Sequence, residues 1–510
     1  MGLGRSRAVA LVGLEGFVVE IEAYLSASVP GFTLVGLPDA SLAEARDRVR
    51  AAMSSSGLRW PNRKIIVNLS PASLPKGGAA YDLAIAVAVL AGDRALREDP
   101  AHVVHLGELG LDGRLRPVRG VLPAVKAAVE AGLSRVVVPS ANAAEARLVP
   151  GAEVRAADSL AQVAYAYGAD IAPPAEVEPV ALVVRGAERA TPGDLADVVG
   201  QHEARYALEV AAAGGHHLLF VGPPGAGKTM LAARLPGILP DLAEPDAVEV
   251  TAVHSLAGSF DPHDGLLVRP PFEDPHHTAT AASVVGGGSG VPRPGAASRA
   301  HRGVLLLDEA PEFAPRVLET LRQPLEHGEL VLHRAAGTAR YPARFQLVLA
   351  ANPCPCGLAV GRGDACSCSA IQLRRYLGRL SGPLLDRVDL QLEVHAVSRA
   401  ELYASEPPEP SARVAARVRA AREAAAARLA ATPWRTNSEV SGRWLRESLA
   451  RERGVLAPVD RAVGNNLLTM RGAQRVLRVA WTLADLEGRA VPTVEHVGRA
   501  MTLRTRGRFA

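Results

Sequence analysis

A glycine-rich loop and a pair of carboxylates are the residues of this sequence best suited to chemistry. Gly222-Pro223-Pro224-Gly225-Ala226-Gly227-Lys228-Thr229 follows the apolar run Leu218–Val221 and precedes the helix-forming run Met230–Leu235. This is G-x-x-x-x-G-K-T in the strand–loop–helix setting that its mechanism requires. Glycines let backbone N–H groups close around phosphates, and the start of the helix adds positive potential. Lys228 is expected to reach the β- and γ-phosphates of ATP, and Thr229 to hold Mg²⁺ through its hydroxyl. Val198 and Gln201, upstream of the strand, are assigned to the same nucleotide site. A second apolar run, Gly303–Leu307, delivers Asp308 and Glu309 at its end. Asp308 is expected beside the metal, and Glu309 is expected to orient and deprotonate the attacking water. An acidic pair after a strand is a weak signal alone and gains weight from the loop before it. A third run, Phe345–Ala350, ends near Asn352, which is placed to touch the γ-phosphate or the water; the alternative is a turn-forming Asn before Pro353.

Two other clusters stand out. Cys354, Cys356, Cys366 and Cys368 are the four cysteines of the chain. They are candidate ligands for structural Zn²⁺, with a redox-labile disulfide pair or an unliganded loop as rivals, since C-x-C is tighter than the usual spacing. Lying between Asn352 and Arg387, a metal there is expected to brace a subunit interface. Adjacent His276 and His277 do not by themselves make a metal site. Arg387, within Ser381–Asp389, is either a surface residue paired with Asp386 or Asp389, or an arginine inserted into a neighbouring subunit's site to offset transition-state charge. Gly328–Ala343 reads as a β-hairpin with a small-residue turn.

The elements that must position these groups fall into blocks. The chain has 510 residues, more than one core holds, and two to four domains are expected. Residues 1–170 alternate β-rich runs with Ala-rich helical stretches, the Pro-rich segment 171–192 reads as a linker, 193–397 alternates strands and helices, and 398–510 is helical. The fold class is α/β. With 48% hydrophobic and 22% charged residues, the composition is that of a soluble globular chain. The net charge of +4 and pI near 9.0 are compatible with nucleic acid without proving it. Lysine occurs only at Lys64, Lys76, Lys126 and Lys228, so a lysine inside a phosphate-binding pattern carries extra weight. No apolar run is long enough to span a bilayer; Val9–Val19 is interrupted by Glu15 and reads as a first strand rather than a signal segment. With rare, clustered cysteine and no targeting segment read, the cytoplasm is the expected compartment, with no membrane partner.

With these residues in place, the chain resembles the magnesium-chelatase-like AAA+ family often called ComM or YifB. The likeness runs nearly end to end, through Val35–Asp39, Val67–Pro71, Leu74–Gly78, Tyr81–Leu83, Gly214–His216, Pro275–Thr278, Gly286–Gly288 and Ser381–Asp389. It implies an AAA+ P-loop NTPase core with an insertion into its second helix, and a C-terminal helical lid of the magnesium-chelatase type. It further implies a ring, expected to be a hexamer, that hydrolyses ATP and moves on single-stranded or branched DNA, as a helicase or branch-migration motor in recombination or transformation. The alternative is a chelatase-type ATPase that remodels a protein partner. By the same resemblance Asn352 is the first sensor, Arg387 the arginine finger and Arg471 the lid sensor, with Arg475 and Arg478 as rivals on nearly the same helical face. His333, Arg334 and Arg340 on the hairpin become candidates for DNA contact. Residues 1–170 resemble the proteolytic domain of Lon-type proteases, a ribosomal S5 domain 2-type α+β fold. Ala80 stands where that chemistry needs a Ser nucleophile and Leu122 where it needs a Lys base, so no peptidase activity is expected. Lys76 and Lys126 are left as surface lysines or DNA contacts.

Overall fold

The computed structural model describes residues 2–36, 42, 44–74, 76–182, 193–288, 292–334, 337–359, 365–402, 408–452 and 454–505. Parts of the Val35–Asp39 and Leu74–Gly78 matches, the linker from 183 to 192 and the Arg334 side chain lie outside the described residues.

The first block is built on strands β1 (Gly2–Val12) and β2 (Glu15–Ser26), a long antiparallel hairpin. The run Val9–Val19, expected as one strand, is the turn end of this hairpin, because Gly13 at φ +68° reverses the chain. Along β2, Val19, Ile21, Ala23 and Leu25 are buried and the residues between them are not, the period of two of a strand with one covered face. β3 (Gly31–Val35), β4 (Lys64–Ser70), β5 (Val104–His105), β6 (Arg135–Pro139) and β7 (Glu153–Ala157) complete a seven-stranded sheet, ordered β3-β4-β2-β1-β5-β6-β7. Helix α1 (Ala45–Ser55) and the almost wholly apolar α2 (Asp82–Gly92) share one core with it. Helix α3 (Val121–Glu130) packs on the other face with Leu122 fully buried. Lys76 is not at the surface. Its ammonium donates to the carbonyl oxygens of Gly36 (3.2 Å), Leu74 (3.0 Å) and Pro71, which use its three protons and leave none for a phosphate. Lys126 is exposed and paired with Glu130 at 2.5 Å.

The second block begins with α4 (His202–Gly214), β8 (Leu218–Val221), α5 (Lys228–Ile238), α6 (Glu244–Ala257), β9 (Phe272–Glu273) and β10 (Val304–Leu307). It continues with the hairpin β11 (Glu329–Arg334) and β12 (Gly337–Pro342), then β13 (Gln346–Ala351) and β14 (Leu390–Glu393). Five of these strands form one parallel sheet ordered β9-β10-β13-β8-β14. Because both faces are covered, β8, β10 and β13 are buried at every residue, which is why they read as unbroken apolar runs. Leu218, Phe220, Leu306 and Val348 face one core, and Leu219, Val221, Leu307 and Leu349 the other.

The helical C-terminal block shares the first of those cores. Helices α7 (Ser411–Leu429), α8 (Met470–Leu486) and α9 (Val494–Thr505) bury Val418, Val476, Ala480 and Val497 against the same set that holds Leu218 and Phe220. No helix among the described residues is long and apolar enough to cross a membrane.

Candidate nucleotide and metal sites

In a parallel sheet all strands point one way, so the loops after β8, β10 and β13 gather at one edge, where ligands of such sheets bind. That edge holds the glycine loop, the carboxylates and Asn352. Gly222 bonds through its N–H to Ala351 O at 3.2 Å, and a Cβ there would lie 2.1 Å from Val394 O. Gly225 and Gly227 take φ +76° and +86°, a region that costs other residues strain, so the loop can turn its amides inward. The side chain of Lys228 is 7% exposed. Its Nζ donates to Gly222 O (2.8 Å), Pro223 O (2.9 Å) and Asn352 Oδ1 (3.1 Å). Burial lowers its pKa, while Asp308 and Glu309 act against that. Thr229 Oγ1 donates to Asp308 Oδ2 at 2.5 Å, so a hydroxyl and a carboxylate converge as the hard oxygen pair that Mg²⁺ takes.

Glu309 is in the left-handed region, φ +50°, which aims its side chain away from the line of β10. Its Oε2 lies 3.0 Å from Nδ1 of His277. Sequence reading gave His277 no part at this site. Its only signal is topological: His277 follows β9, and β9 is hydrogen-bonded beside β10, so the tips of the two strands are adjacent. Asp274 is drawn in as well, its pKa raised by burial and then by the charge of Asp308. Gln201 donates to Ala226 O at 3.2 Å and so touches the loop backbone, whereas Val198 is fully buried in the core behind it.

Arg387 and Arg471 are not on this edge. Asp389 N and Leu390 N bond to His217 O where β8 and β14 begin, and Val394 N bonds to Val221 O where they end, beside the glycine loop. Arg387 precedes β14 and therefore sits one strand length from the loop, about 13 Å for four residues at ~3.3 Å each. It is buried and paired with Glu326. Burial first, then the guanidinium groups of Arg322, Arg471 and Arg475, lowers its pKa. Arg471, exposed at the start of α8, lines the same groove. Arg475 is a structural bolt: its Nη1 donates to the fully buried Asp389 at 2.7 Å and its Nε to Asp386 O at 2.8 Å, docking α8 to the sheet. Arg478 is tied to Val440 O at 2.8 Å.

The four cysteines form a knot directly after Asn352. Their sulfurs all lie within 4.8 Å of one another, the one group of three or more metal-ligating His, Cys, Asp or Glu side chains so gathered among the described residues. The knot packs on the glycine loop of its own chain. The N–H of Leu358 and the neighbouring Cys354 thiol bring the Cys356 pKa down to about 6. On the hairpin, Arg340 pairs across to Glu329 at 3.2 Å and His333 Nδ1 lies 3.0 Å from Thr338 Oγ1, both exposed.

The chain is similar to known proteins along nearly its whole length. Residues 194–402 match the family profile of magnesium chelatase, subunit ChlI, residues 408–504 the profile of its C-terminal part, and residues 21–142 a further profile described as subunit ChlI of Mg-chelatase. An uncharacterized protein of Mycobacterium tuberculosis is 51% identical over 508 residues, 99% of each chain. YifB of Escherichia coli is 40% identical and competence protein ComM of Haemophilus influenzae 39% identical, each over 499 residues, 97% of this chain and 96% of theirs. A Lon protease of Salinispora arenicola is 32% identical over 163 residues, 30% of this chain and 20% of its own.

Proposed function

We propose, since the chain belongs to the magnesium-chelatase-like AAA+ family of ComM and YifB, that it hydrolyses ATP in a ring, a hexamer by resemblance, and uses the energy to move on DNA. The observation that carries this reading is the two-ended sheet. Lys228, Thr229, Asp308, Glu309 and Asn352 occupy one edge, and Arg387 with exposed Arg471 occupies the other. Within a single chain, then, Arg387 and Arg471 lie at the opposite edge from the glycine loop. Head-to-tail association brings the two edges together, and a repeated head-to-tail contact closes a ring when its rotation allows.

In this reading the loop amides and Lys228 hold the β- and γ-phosphates. Thr229 and Asp308 hold Mg²⁺, which supplies neutralisation of charge on the phosphoryl oxygens. Glu309 turns away from His277 to take a proton from water, and Asn352, already on Lys228, orients that water or the γ-phosphate. Arg387 and Arg471 of the adjacent subunit meet the charge that develops. Structural Zn²⁺ at the four thiols completes the set of cofactors.

The hairpin β11–β12 and the residues after α6 are the proposed DNA-facing parts, and competence, named for the relative from Haemophilus influenzae, is the process in which branch migration would serve. The test is ATPase rate without DNA and with single strands, duplex and a four-way junction, at two salt concentrations. Stimulation strongest with single-stranded or branched DNA and weakened by salt is expected. The second reading, remodelling of a protein partner, draws on the magnesium chelatase profiles, which match the first block as well as the motor. That first block therefore does not separate the two readings, and an ATPase rate that no DNA changes would favour the second.

A further inference from the structure

The cysteine knot joins two walls of the nucleotide site. Cys354 lies two residues beyond Asn352 and is fully buried. Its sulfur is 3.2 Å from that of Cys356 and 3.7 Å from that of Cys366, and Cys356 is 3.7 Å from Cys366. Four thiolates about 2.3 Å from one tetrahedral Zn²⁺ stand about 3.8 Å apart, close to two of these separations. All four cysteines are free rather than bridged. Ala359 N donates to Cys354 Sγ at 3.3 Å, the kind of backbone contact that stabilises a ligating thiolate.

Between the two cysteine pairs the chain touches the phosphate loop. Gly357, at φ +79°, folds back so that its N–H reaches Cys354 O at 3.0 Å. A Cβ on Gly357 would lie 2.6 Å from Cγ and Cδ of Pro224. After the second pair the chain returns to the sensor. Helix Ala370–Leu377 opens two residues past Cys368 and carries the buried Tyr376, whose pKa burial pushes up to about 12 against the opposing effect of the backbone N–H of Asn352. Knot, phosphate loop and sensor are thus one contiguous packing unit within one chain. No catalytic group lies on the knot itself.

We propose that the four thiolates bind one Zn²⁺, and that the bound metal is a clamp fixing Asn352 against Pro224 and Lys228, so that metal and nucleotide bind cooperatively within the same subunit. The inference rests on reading Gly222–Thr229 as the ATP site. The metal holds the wall opposite the phosphate loop at its working distance. Without it, the turn through Gly357 is tied to the second cysteine pair by thiol contacts rather than by bonds to a metal. Linkage makes the coupling reciprocal: what zinc does to nucleotide affinity, nucleotide does to zinc affinity by the same factor.

The experiment uses the full-length protein. Metal content is measured by mass spectrometry, and affinity for a fluorescent ATP analogue is measured as purified, after chelator stripping and after return of Zn²⁺. The rate of zinc transfer to a chromogenic chelator is followed with and without a non-hydrolysable ATP analogue. One zinc per chain is expected, with nucleotide affinity at least about fivefold weaker in the stripped protein, restored by Zn²⁺, and zinc loss slowed by nucleotide. Cys366→Ser should lose the metal. Gly357→Ala, which keeps all four thiols, should retain one zinc and still bind nucleotide less tightly. Absence of zinc both as purified and on reconstitution, or four cysteines found as disulfides, overturns the metal site. Zinc present with nucleotide affinity unchanged on stripping overturns the clamp. Lys228→Ala serves as the control: normal nucleotide binding by that variant would sink the ATP-site reading, while the zinc count would stand.

Discussion

At Glu309 the local backbone matters as much as the carboxylate. Its left-handed conformation and its contact with His277 put the carboxylate beside a neighbouring strand tip. Glu309→Gln keeps the size and hydrogen-bonding reach of the side chain and removes its basicity. The variant is expected to bind ATP as tightly as the parent and to turn over at least about 10²-fold more slowly, the range of a lost general base; fluorescent-nucleotide titration beside phosphate release measures both. Turnover close to that of the parent would remove Glu309 from the role of base. The residues legible in the sequence are those whose chemistry depends on close neighbours in the chain: Gly222 to Thr229, and Asp308 with Glu309. His277 was not legible, because its partner is brought to it by strand order alone. Lys76 was misread for a related reason. A lysine is ordinarily a surface residue, and only the fold shows three carbonyls closing over this one.

Among the elements, the parallel sheet decides which groups can meet. The apolar runs made β8, β10 and β13 readable, and the loops after them announced the nucleotide edge. Where Arg387 and Arg471 lie could not be read, since a residue before a strand and a residue after one look alike until strand direction is known. Parallel pairing of β14 with β8 sets Arg387 at the edge away from Lys228, and Arg471 lines the groove beside it. Arg387→Ala is therefore expected to bind nucleotide normally and to lose turnover by about 10³-fold, the lower range for a removed arginine finger. Mixed with Lys228→Ala, which supplies an intact arginine edge, it should regain part of the activity, because some interfaces then pair a sound cradle with a sound arginine. ATPase assays across mixing ratios read this. A flat response at every ratio would mean that the arginine acts within its own chain or not at all. The hairpin β11–β12 was legible from its turn, whereas the fusion of the helical block with the sheet was not, since shared burial leaves no mark on spacing.

Over the whole molecule, a buried carboxyl group ties the Lon-like block to the block of the parallel sheet. Glu145, on the short helix Ser140–Ala146, accepts from Leu122 N at 2.9 Å and from Ser255 Oγ of α6, and Asn142 Nδ2 lies 3.4 Å away. The position at which the Lon-like pattern expects a lysine thus holds Leu122, whose backbone helps anchor this joint. Burial raises the Glu145 pKa despite these donors. A raised carboxyl contributes stability fully below its unfolded pKa and loses it as pH climbs through the folded value. Glu145→Gln should accordingly gain on the parent as pH rises above the ordinary carboxylate range. Glu145→Ala, which strands the donors, should lie about 2 kcal/mol below Glu145→Gln at any pH. Thermal melts from pH 4 to 8 compare the three, and equal slopes for parent and Gln variant would mean that the carboxyl is not held in its protonated form.

The same block also touches the block of the parallel sheet at the turn between β1 and β2. Gly13 lies so close to the hairpin that a Cβ there would stand 2.3 Å from the carbonyl oxygen of Arg340. Arg340 is three residues from Gly337, where β12 begins, a span of about 10 Å at ~3.3 Å per residue. The contact makes Gly13 a fulcrum. Tilting the hairpin by about ten degrees over that arm would sweep the start of β12 through roughly 2 Å while its far end scarcely moved. The Lon-like block would then set the leverage of the hairpin, and the ratio would be written in the place along β12 where the glycine bears.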